Sequence, residues 1–270
     1  PQELKLTNML FKYGVRINQD MVLDLQSAAI PVNTALTGQQ PRFEPMPWMF
    51  APLATPIGKH PISKNVDLVK LEYAGTIDTV TAKGINKTVL LQSSRYSKTN
   101  NAPVRIFLKM GLMQPDERQF TDSYRPLAVL LEGEFESVFK NRIPPQIAND
   151  SAIGFRSNGV KTKMIVISDG DIIRNELHYP TRRPIPLGFD ALTNRTYGNK
   201  NFLLNCINYL CDDSGLIDVR ARELTLRLLD RKKLKAEGFK WKLINTLVPL
   251  LSIALIGILI FYRRKRKYTT

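Results

Sequence analysis

An uncharged apolar run near the C-terminus constrains this chain more than any other sequence feature. It covers 20 residues, Leu243 to Tyr262, and only Asn245, Thr246 and Ser252 within it are polar. A helix needs about 20 such residues to cross roughly 30 Å of hydrocarbon. The alternative is a buried core helix, but an unbroken stretch of this length followed at once by basic residues favours the membrane. The sequence therefore predicts one C-terminal transmembrane helix.

The two flanks of this run indicate its orientation. Phe239 and Trp241 precede it and Phe261 and Tyr262 close it, so aromatic rings would lie at both headgroup layers. Five basic residues follow directly at positions 263–267. Large domains are translocated largely regardless of their charge, so the short tail is the better candidate for the cytoplasmic side. We expect an inner-membrane protein whose soluble domain is periplasmic.

Composition predicts a folded soluble part with a basic surface. The chain has 270 residues, a net charge of +15 and 43% hydrophobic residues, which is enough to build a core. The positive residues are scattered or cluster in residues 227–242, where anionic membrane lipids explain them better than nucleic acid. Membrane lipids, and no nucleic acid, are the expected partners. Because Pro1 is not an initiator Met and no signal-peptide pattern follows, we expect a longer protein.

These patterns divide the chain into four predicted parts. Residues 1–215 form an extracytoplasmic α/β domain and residues 216–240 a strand with a basic juxtamembrane linker. Residues 241–262 form the transmembrane helix, and residues 263–270 the basic cytoplasmic tail.

Short apolar runs predict the fold of the soluble part. Helical spacing is expected at 4–13 and 201–210, buried strands at 88–91, 127–133 and 164–168, looser strand alternation at 66–80, a half-exposed strand at 217–222, and an extended, proline-rich connection at 31–61. Continuously apolar strands are typical of sheets that are covered on both faces. The sequence therefore predicts an α/β fold with a layered, mostly parallel sheet and helices on either side.

Histidine and cysteine give little indication of catalysis. His60 and His178 are far apart in sequence and each lies near a proline. Cys206 and Cys211 are five residues apart on a predicted helix, a spacing that suits neither a CxxC redox motif nor a zinc knuckle. Buried structural thiols are the favoured interpretation of both cysteines.

Acidic residues after two predicted strands are ambiguous candidates. Asp169 and Asp171 follow the strand at 164–168, where open α/β sheets often carry ligand-binding or acid–base groups, but an acidic turn that caps the next helix fits equally. Glu132 and Glu134 flank Gly133 with the same ambiguity. No phosphate-binding glycine motif is present, so the chain itself is not expected to be an ATPase. We assign no catalytic, cofactor-binding or metal-binding residue from the sequence.

Four segments carry a resemblance to a known family. They are Leu6–Val15, Arg125–Gly133, Val166–Asp171 and Tyr197–Leu210. In this order, and with the terminal span, they resemble the accessory-domain family of ABC transport systems, and most of all its GldG-like, gliding-motility-associated members from the Bacteroidetes.

The resemblance implies a noncatalytic accessory subunit. Its domain would be a class I glutamine amidotransferase-like α/β sheet outside the cytoplasm that lacks the catalytic machinery. Its partners would be the permease and ATPase subunits of an ABC transporter, together with an unidentified extracytoplasmic ligand. The alternative function is a membrane-tethered hydrolase or amidotransferase, which would need a nucleophile beside a base.

Overall fold

Five stretches of the chain are described by the computed structural model. They are residues 5–35, 38–58, 60–178, 181–212 and 231–268. The chain divides into two compact units, residues 1–222 and 223–270. The predicted strand at 217–222 lies outside the described residues, and the predicted domain boundaries stay predictions.

The first unit contains short helices and many strands. Its α-helices are α1 (Thr7–Lys12), α2 (Pro145–Ala148) and α3 (Asn199–Cys211), and short 3₁₀ helices cover Leu108–Leu112, Glu117–Gln119 and Asp171–Ile173. Its strands up to residue 101 are β1 (Val15–Ile17), β2 (Asp20–Asp24), β3 (Ser27–Asn33), β4 (Phe43–Pro56), β5 (Val69–Lys70), β6 (Ile77–Thr79), β7 (Ile85–Gln92) and β8 (Ser97–Asn101). The later strands are β9 (Pro126–Glu136), β10 (Asn158–Ile167), β11 (Leu177–His178), β12 (Arg183–Pro184), β13 (Phe189–Asp190) and β14 (Arg195–Thr196).

The central sheet is antiparallel. Its strands are ordered β10–β9–β7–β4–β3, and β5 pairs with β4 beside this path. Each pairing within it, as far as the chain is described, is antiparallel. The predicted layered, mostly parallel α/β sheet of the class I glutamine amidotransferase type is therefore wrong. The fold consists mainly of antiparallel sheets with few helices.

Strand β9 shows why the parallel prediction failed. Its run Leu127–Leu131 is fully buried, as a continuously apolar sequence predicts. Leu127 and Leu130 pack into a cluster that includes residues of α3, whereas Val129 and Leu131 pack into another that includes residues of α1 and β1. A central antiparallel strand that is covered on both faces thus has the same apolar pattern as a parallel one. Burial on two faces was correct, and the inferred strand direction was not.

The proline-rich stretch 31–61 was predicted to be an extended connection, but most of it forms strands. It contains part of β3 and all 14 residues of β4, the longest strand of the described chain. Pro45 and Pro47 are two residues apart, so their missing N–H groups lie on the same side of β4. The first half of β4 pairs only with β3 among the described residues. The edge of β4 that faces away from β3 therefore needs no backbone N–H donors in this half.

The helix predicted over 201–210 is confirmed as α3, and that over 4–13 is confirmed in its central part as α1. Gly14 follows α1 at a φ of +92°, the left-handed conformation that its position after the helix predicts. A Cβ at Gly14 would meet the Lys87 side chain and the Val80 carbonyl, so glycine also permits close packing against the strand region.

The second unit contains one long helix, Arg231–Tyr268. Its portion Glu237–Tyr268 is long and apolar enough to be a candidate membrane span, and its apolar side chains are exposed. Pro249 lies inside the helix without ending it. Thr246 donates to the carbonyl of Lys242 and Ser252 to that of Pro249, so both hydroxyl donors are satisfied within the helix.

Candidate functional site

A small charged cleft is present where the end of β10, the segment after β5 and the start of α3 come together. It encloses about 40 Å³, room for a few water-sized groups. Its lining residues are mainly charged or small: Lys70, Glu72, Asp169, Asp171, Ile172, Arg174, Glu176, Pro186, Leu187, Gly188, Phe189 and Asn199. Both aspartates that the sequence indicated as candidates are therefore in one cleft.

Asp169 joins two segments of the cleft. Its side chain is almost fully buried, and its two carboxylate oxygens accept hydrogen bonds from the backbone N–H groups of Glu72 and Asp171, each at 2.8 Å. Burial raises the pKa of Asp169, although these two hydrogen bonds act in the opposite direction. The carboxylate thus holds the segment after β5 against the turn after β10.

Lys70 lies between two glutamates. Its ammonium nitrogen is 2.9 Å from a carboxylate oxygen of Glu72 and 3.1 Å from one of Glu176. Burial by itself would lower the pKa of Lys70, but the hydrogen bond and charge of Glu72, joined by those of Glu176, raise it above its ordinary value. Lys70 therefore stays cationic and is a poor candidate for a nucleophilic amine.

Arg174 supplies the second positive charge of the cleft. Its guanidinium is 3.1 Å from the Asp171 carboxylate, one helical turn earlier, and 3.6 Å from that of Glu72. The acidic turn at 169–171 was predicted either to bind a ligand or to cap a helix. Asp171 begins a short 3₁₀ helix, Asp171–Ile173, so the turn does lead into a helix. Arg174, which follows this helix, is the ionic partner of Asp171.

Asn199 at the start of α3 closes the cleft. Its amide accepts a hydrogen bond from the N–H of Lys70 at 2.9 Å and donates one to the carbonyl of Lys70 at 2.8 Å. The preceding Gly198 permits this approach, because a Cβ there would lie 2.3 Å from the carbonyl oxygen of Asp67. The pair Gly198–Asn199 thus fastens α3 to β5.

The cleft offers recognition chemistry. It combines four carboxylates with two cations, and both cations are ion-paired within it, which suits hydrogen bonding to a small polar or cationic group. No cluster of three or more His, Cys, Asp or Glu side chains in the described stretches is arranged to hold a metal ion.

Sequence reasoning missed Lys70, Glu72, Glu176 and Asn199. Lys70 is 129 residues from Asn199 and 106 from Glu176, so no local pattern connects them. Among the four, only Asn199 had a sequence signal, since it lies within a segment that carries the family resemblance.

A protein-family model described as an ABC-type uncharacterized transport system matches residues 1–206. The chain belongs to this ABC transport auxiliary family. The match includes every residue of the cleft and ends before the long C-terminal helix. Comparisons with curated proteins and with solved structures gave no match.

The family membership points to a noncatalytic role, and the cysteines of this ABC transport auxiliary protein agree with it. Cys206 is buried as predicted, and burial raises the pKa of its thiol to about 12, so the reactive thiolate is scarce at neutral pH. Cys211 is exposed, contrary to the prediction of a buried thiol. The two thiols are free and differ in burial, so the prediction holds for Cys206 and is wrong for Cys211.

The two histidines are in separate environments. The His60 ring meets that of Tyr209 edge-on, with centroids 4.7 Å apart, and its Nδ1 accepts from the N–H of Ile62 at 3.3 Å. His178 is exposed, and its Nδ1 is 2.9 Å from the hydroxyl of Thr181. Each ring thus contacts a different neighbouring side chain, Tyr209 for His60 and Thr181 for His178.

Glu132 and Glu134 have different surroundings. Glu132 accepts a hydrogen bond of 2.8 Å from the hydroxyl of Tyr209, which attaches α3 to β9. Glu134 is exposed and lines a second, open cavity of about 400 Å³. Gly133 between them has a φ of +153°, and a Cβ there would lie 2.1 Å from the carbonyl oxygen of Gly84. The close approach of the Gly84 backbone thus explains the glycine between the two glutamates.

Proposed function

We propose that this chain is a noncatalytic, membrane-anchored accessory subunit of an ABC-type transport complex. The observation that carries the proposal is the family match over residues 1–206 in a chain that also has a candidate membrane span. ATP hydrolysis and the main transmembrane pathway would belong to the ATPase and permease subunits on other chains. The accessory domain binds a partner or a ligand.

The charged cleft supports a binding role for the domain. Its side chains are held by hydrogen bonds and ion pairs before any ligand arrives, so binding would require little reorganisation. A volume of about 40 Å³ suits a single polar group, such as the ammonium of a side chain or small solute.

The finer assignment is a GldG-like subunit linked to gliding motility, located in the inner membrane with its soluble domain in the periplasm. It is supported by the ordered segments at 6–15, 125–133, 166–171 and 197–210 and by the basic tail after the span. Loss of gliding after deletion of the gene, with restoration by the intact chain, would support the motility assignment. Unchanged gliding in the deletion strain would contradict it.

Co-purification tests the accessory role. The tagged full-length chain is extracted in mild detergent, and the retained proteins are compared with those retained by an unrelated tagged single-span protein. We expect an ABC permease and an ABC ATPase to be enriched with this chain only. Recovery of the chain with neither subunit would contradict the proposal.

Cysteine labelling in spheroplasts tests the orientation. Because Cys211 is exposed, Cys211→Ser is the background in which Asn100→Cys and Thr270→Cys are made one at a time. We expect an impermeant maleimide to label position 100 and not position 270. The reverse pattern would invert the proposed topology.

A further inference from the structure

Two polar loops lie side by side at one end of β9. Residues 93–96 connect β7 to β8, and residues 121–125 lead directly into β9; together they are called the paired loops here. Their nine residues are three serines, two tyrosines, two arginines, one threonine and one aspartate. Antibody binding loops have a similar composition, because tyrosine supplies a large, rigid contact area and serine supplies adaptable hydrogen bonds. The composition of the paired loops is therefore typical of a protein-recognition surface.

The paired loops hold each other in place. The N–H of Tyr124 donates to the carbonyl of Ser94 at 3.1 Å. The hydroxyl of Ser123 donates to the carbonyl of Arg95 at 2.7 Å. Beneath them, the N–H and the hydroxyl of Ser94 donate to the buried carboxylate of Asp24, at 2.7 and 2.6 Å. The conformation of both loops is thus fixed before a partner arrives, which lowers the conformational cost of binding.

Both tyrosines of the paired loops are exposed, and one has a strained backbone. Tyr96 and Tyr124 are each 53% exposed. The φ of Tyr124 is +59°, in the left-handed region that glycine or asparagine adopts more readily. Tyr73 also has a positive φ, but its ring packs against Phe50, whereas the Tyr124 ring has no aromatic or cation–π partner within the described stretches. Neither the backbone nor a ring contact explains a tyrosine at position 124, and such strain is typical of binding sites.

Arg95 adds a free cation to this surface. Its guanidinium carbon lies 5.9 Å from the centroid of the Tyr96 ring. Arg125 is paired with Asp122 at 3.2 Å, whereas Arg95 has no ion-pair partner among the described residues. The exposed acidic residues at 116–117 precede the second loop, and neither pairs with Arg95. The guanidinium is therefore available to a carboxylate of a partner.

We propose that the paired loops bind a protein partner. The rings of Tyr96 and Tyr124 pack on its surface, and Arg95 pairs with one of its carboxylates. A protein is favoured over a lipid surface because tyrosine and arginine dominate protein hot spots, and because the nine residues contain no aliphatic side chain to enter an acyl region. The inference rests on the proposed function, which supplies the partner as the permease subunit.

Photo-crosslinking tests the contact directly. The tagged full-length chain is produced in its own host with p-benzoylphenylalanine at position 96 or at position 124, one at a time. We expect ultraviolet light to crosslink each position to the ABC permease, identified by mass spectrometry. The matched control has the same photoreactive residue at position 139, where the native Phe139 is an aromatic residue that is 59% exposed and lies outside the paired loops. We expect no permease crosslink from this control.

Substitutions test the energy of the contact. Tyr124→Asn removes the ring and suits the left-handed backbone, so the melting temperature should stay unchanged or rise. Permease recovery with the tagged chain should nevertheless fall by roughly tenfold or more, as expected for the loss of a hot spot. Arg95→Glu should lower recovery similarly. Tyr73→Asn, the same substitution at another exposed tyrosine with a positive φ, should leave recovery unchanged.

The outcomes separate this inference from the proposed function. If the unmodified chain recovers the permease and both Tyr124→Asn and Arg95→Glu recover as much, the paired loops are not the contact, while the accessory role stands. Crosslinks from positions 96 and 124 to lipid or to a second copy of this chain, and none to the permease, would also refute the inference. If the unmodified chain recovers neither a permease nor an ATPase, the proposed function and the inference both fail.

Discussion

Strand β9 and the C-terminal helix have apolar sequences of similar character in opposite surroundings. The side chains of Leu127–Leu131 are fully buried between two clusters of the first unit, whereas those of Leu250, Leu251 and Ile253 are at least 60% exposed. The five-residue run is short enough to be covered by neighbouring elements of its own chain. A 20-residue run on one helix presents apolar surface on every side, and a lipid bilayer is the solvent that can cover it. Run length thus separates the two more clearly than hydrophobicity.

Removal of the apolar helix should give the largest effect. Deleting residues 243–270 from this chain should abolish its membrane association, because these residues contain the apolar part of the helix that is long and apolar enough to cross a bilayer. Carbonate-washed membranes are pelleted and the chain is detected in each fraction. A chain that lacks only residues 263–270 should still pellet, and persistence of the shorter chain in the pellet would contradict the span.

The same substitution in each region compares the two environments directly. Leu130→Ala should lower the free energy of unfolding of the first unit by about 2–5 kcal/mol, because it leaves a cavity at a fully buried position. Leu255→Ala, at a position that is 60% exposed on the helix, should change that free energy by less than about 0.5 kcal/mol. Denaturant titration of the full chain in detergent measures both. Equal losses would show that the two regions share one packed core.

A buried carboxylate should give a smaller, pH-dependent effect. Asp24 is fully buried and accepts hydrogen bonds from the N–H and hydroxyl of Ser94 and from the N–H of Gln26. Asp24→Asn replaces one acceptor oxygen by a donor and should cost about 1–3 kcal/mol at pH 7.

The sign of the pH effect follows from the raised pKa. Burial raises the pKa of Asp24 above 3.8, so the folded state holds the proton more tightly than the unfolded chain does. The contribution of Asp24 to the free energy of unfolding is therefore greatest at low pH and falls as the pH rises from about 3.8 through the raised pKa. The Asp24→Asn variant should lack this decrease in the free energy of unfolding with rising pH. It should keep the increase with rising pH that comes from Asp122, whose pKa is lowered by hydrogen bonds from Thr99. The free energy of unfolding is measured against pH for the unmodified chain and for Asp24→Asn. An identical pH dependence in both would contradict a raised pKa of Asp24.

The smallest effects are expected at the thiols. Cys206→Ala should cost on the order of 1 kcal/mol, and Cys211→Ala almost nothing, while transport or motility stays intact in both. In the unmodified chain, maleimide should label Cys211 rapidly and Cys206 only after unfolding, since burial raises the pKa of Cys206 to about 12. Loss of biological activity in a variant that keeps its stability and its membrane level would contradict a noncatalytic role. His60→Gln and His178→Gln should likewise leave transport or motility intact.

Local patterns predicted individual elements better than their arrangement. The strands at 88–91 and 127–133 were predicted from apolar runs and the helix at 201–210 from periodicity, and they are confirmed as parts of β7, β9 and α3. The strand predicted at 164–168 is confirmed up to Ile167, where β10 ends. The direction of pairing could not be obtained in this way, because two-face burial is compatible with either direction. The prolines of β4 concealed a strand, since their cost depends on whether that side of the strand has a partner.

The candidate site was only partly visible in the sequence. Asp169 was identified because it follows a buried apolar strand, but the other cleft residues Lys70, Glu72 and Glu176 come from segments with no motif of their own. A hydrogen bond between the Asp169 carboxylate and the Glu72 backbone joins residues 97 positions apart. Such pairs depend on the register of the whole sheet.

The sequence alone determined the properties that depend on neighbouring residues. These are the candidate span, set by 20 consecutive uncharged residues, the apolar strands and α3, set by short-range periodicity, and the segments that indicate the family. The tertiary structure alone decided the antiparallel order of the strands and the cleft around Lys70. The physical reason is that strand order and cleft contacts result from many weak interactions between residues that are distant in the sequence, whereas helix periodicity and span length are recorded in consecutive residues.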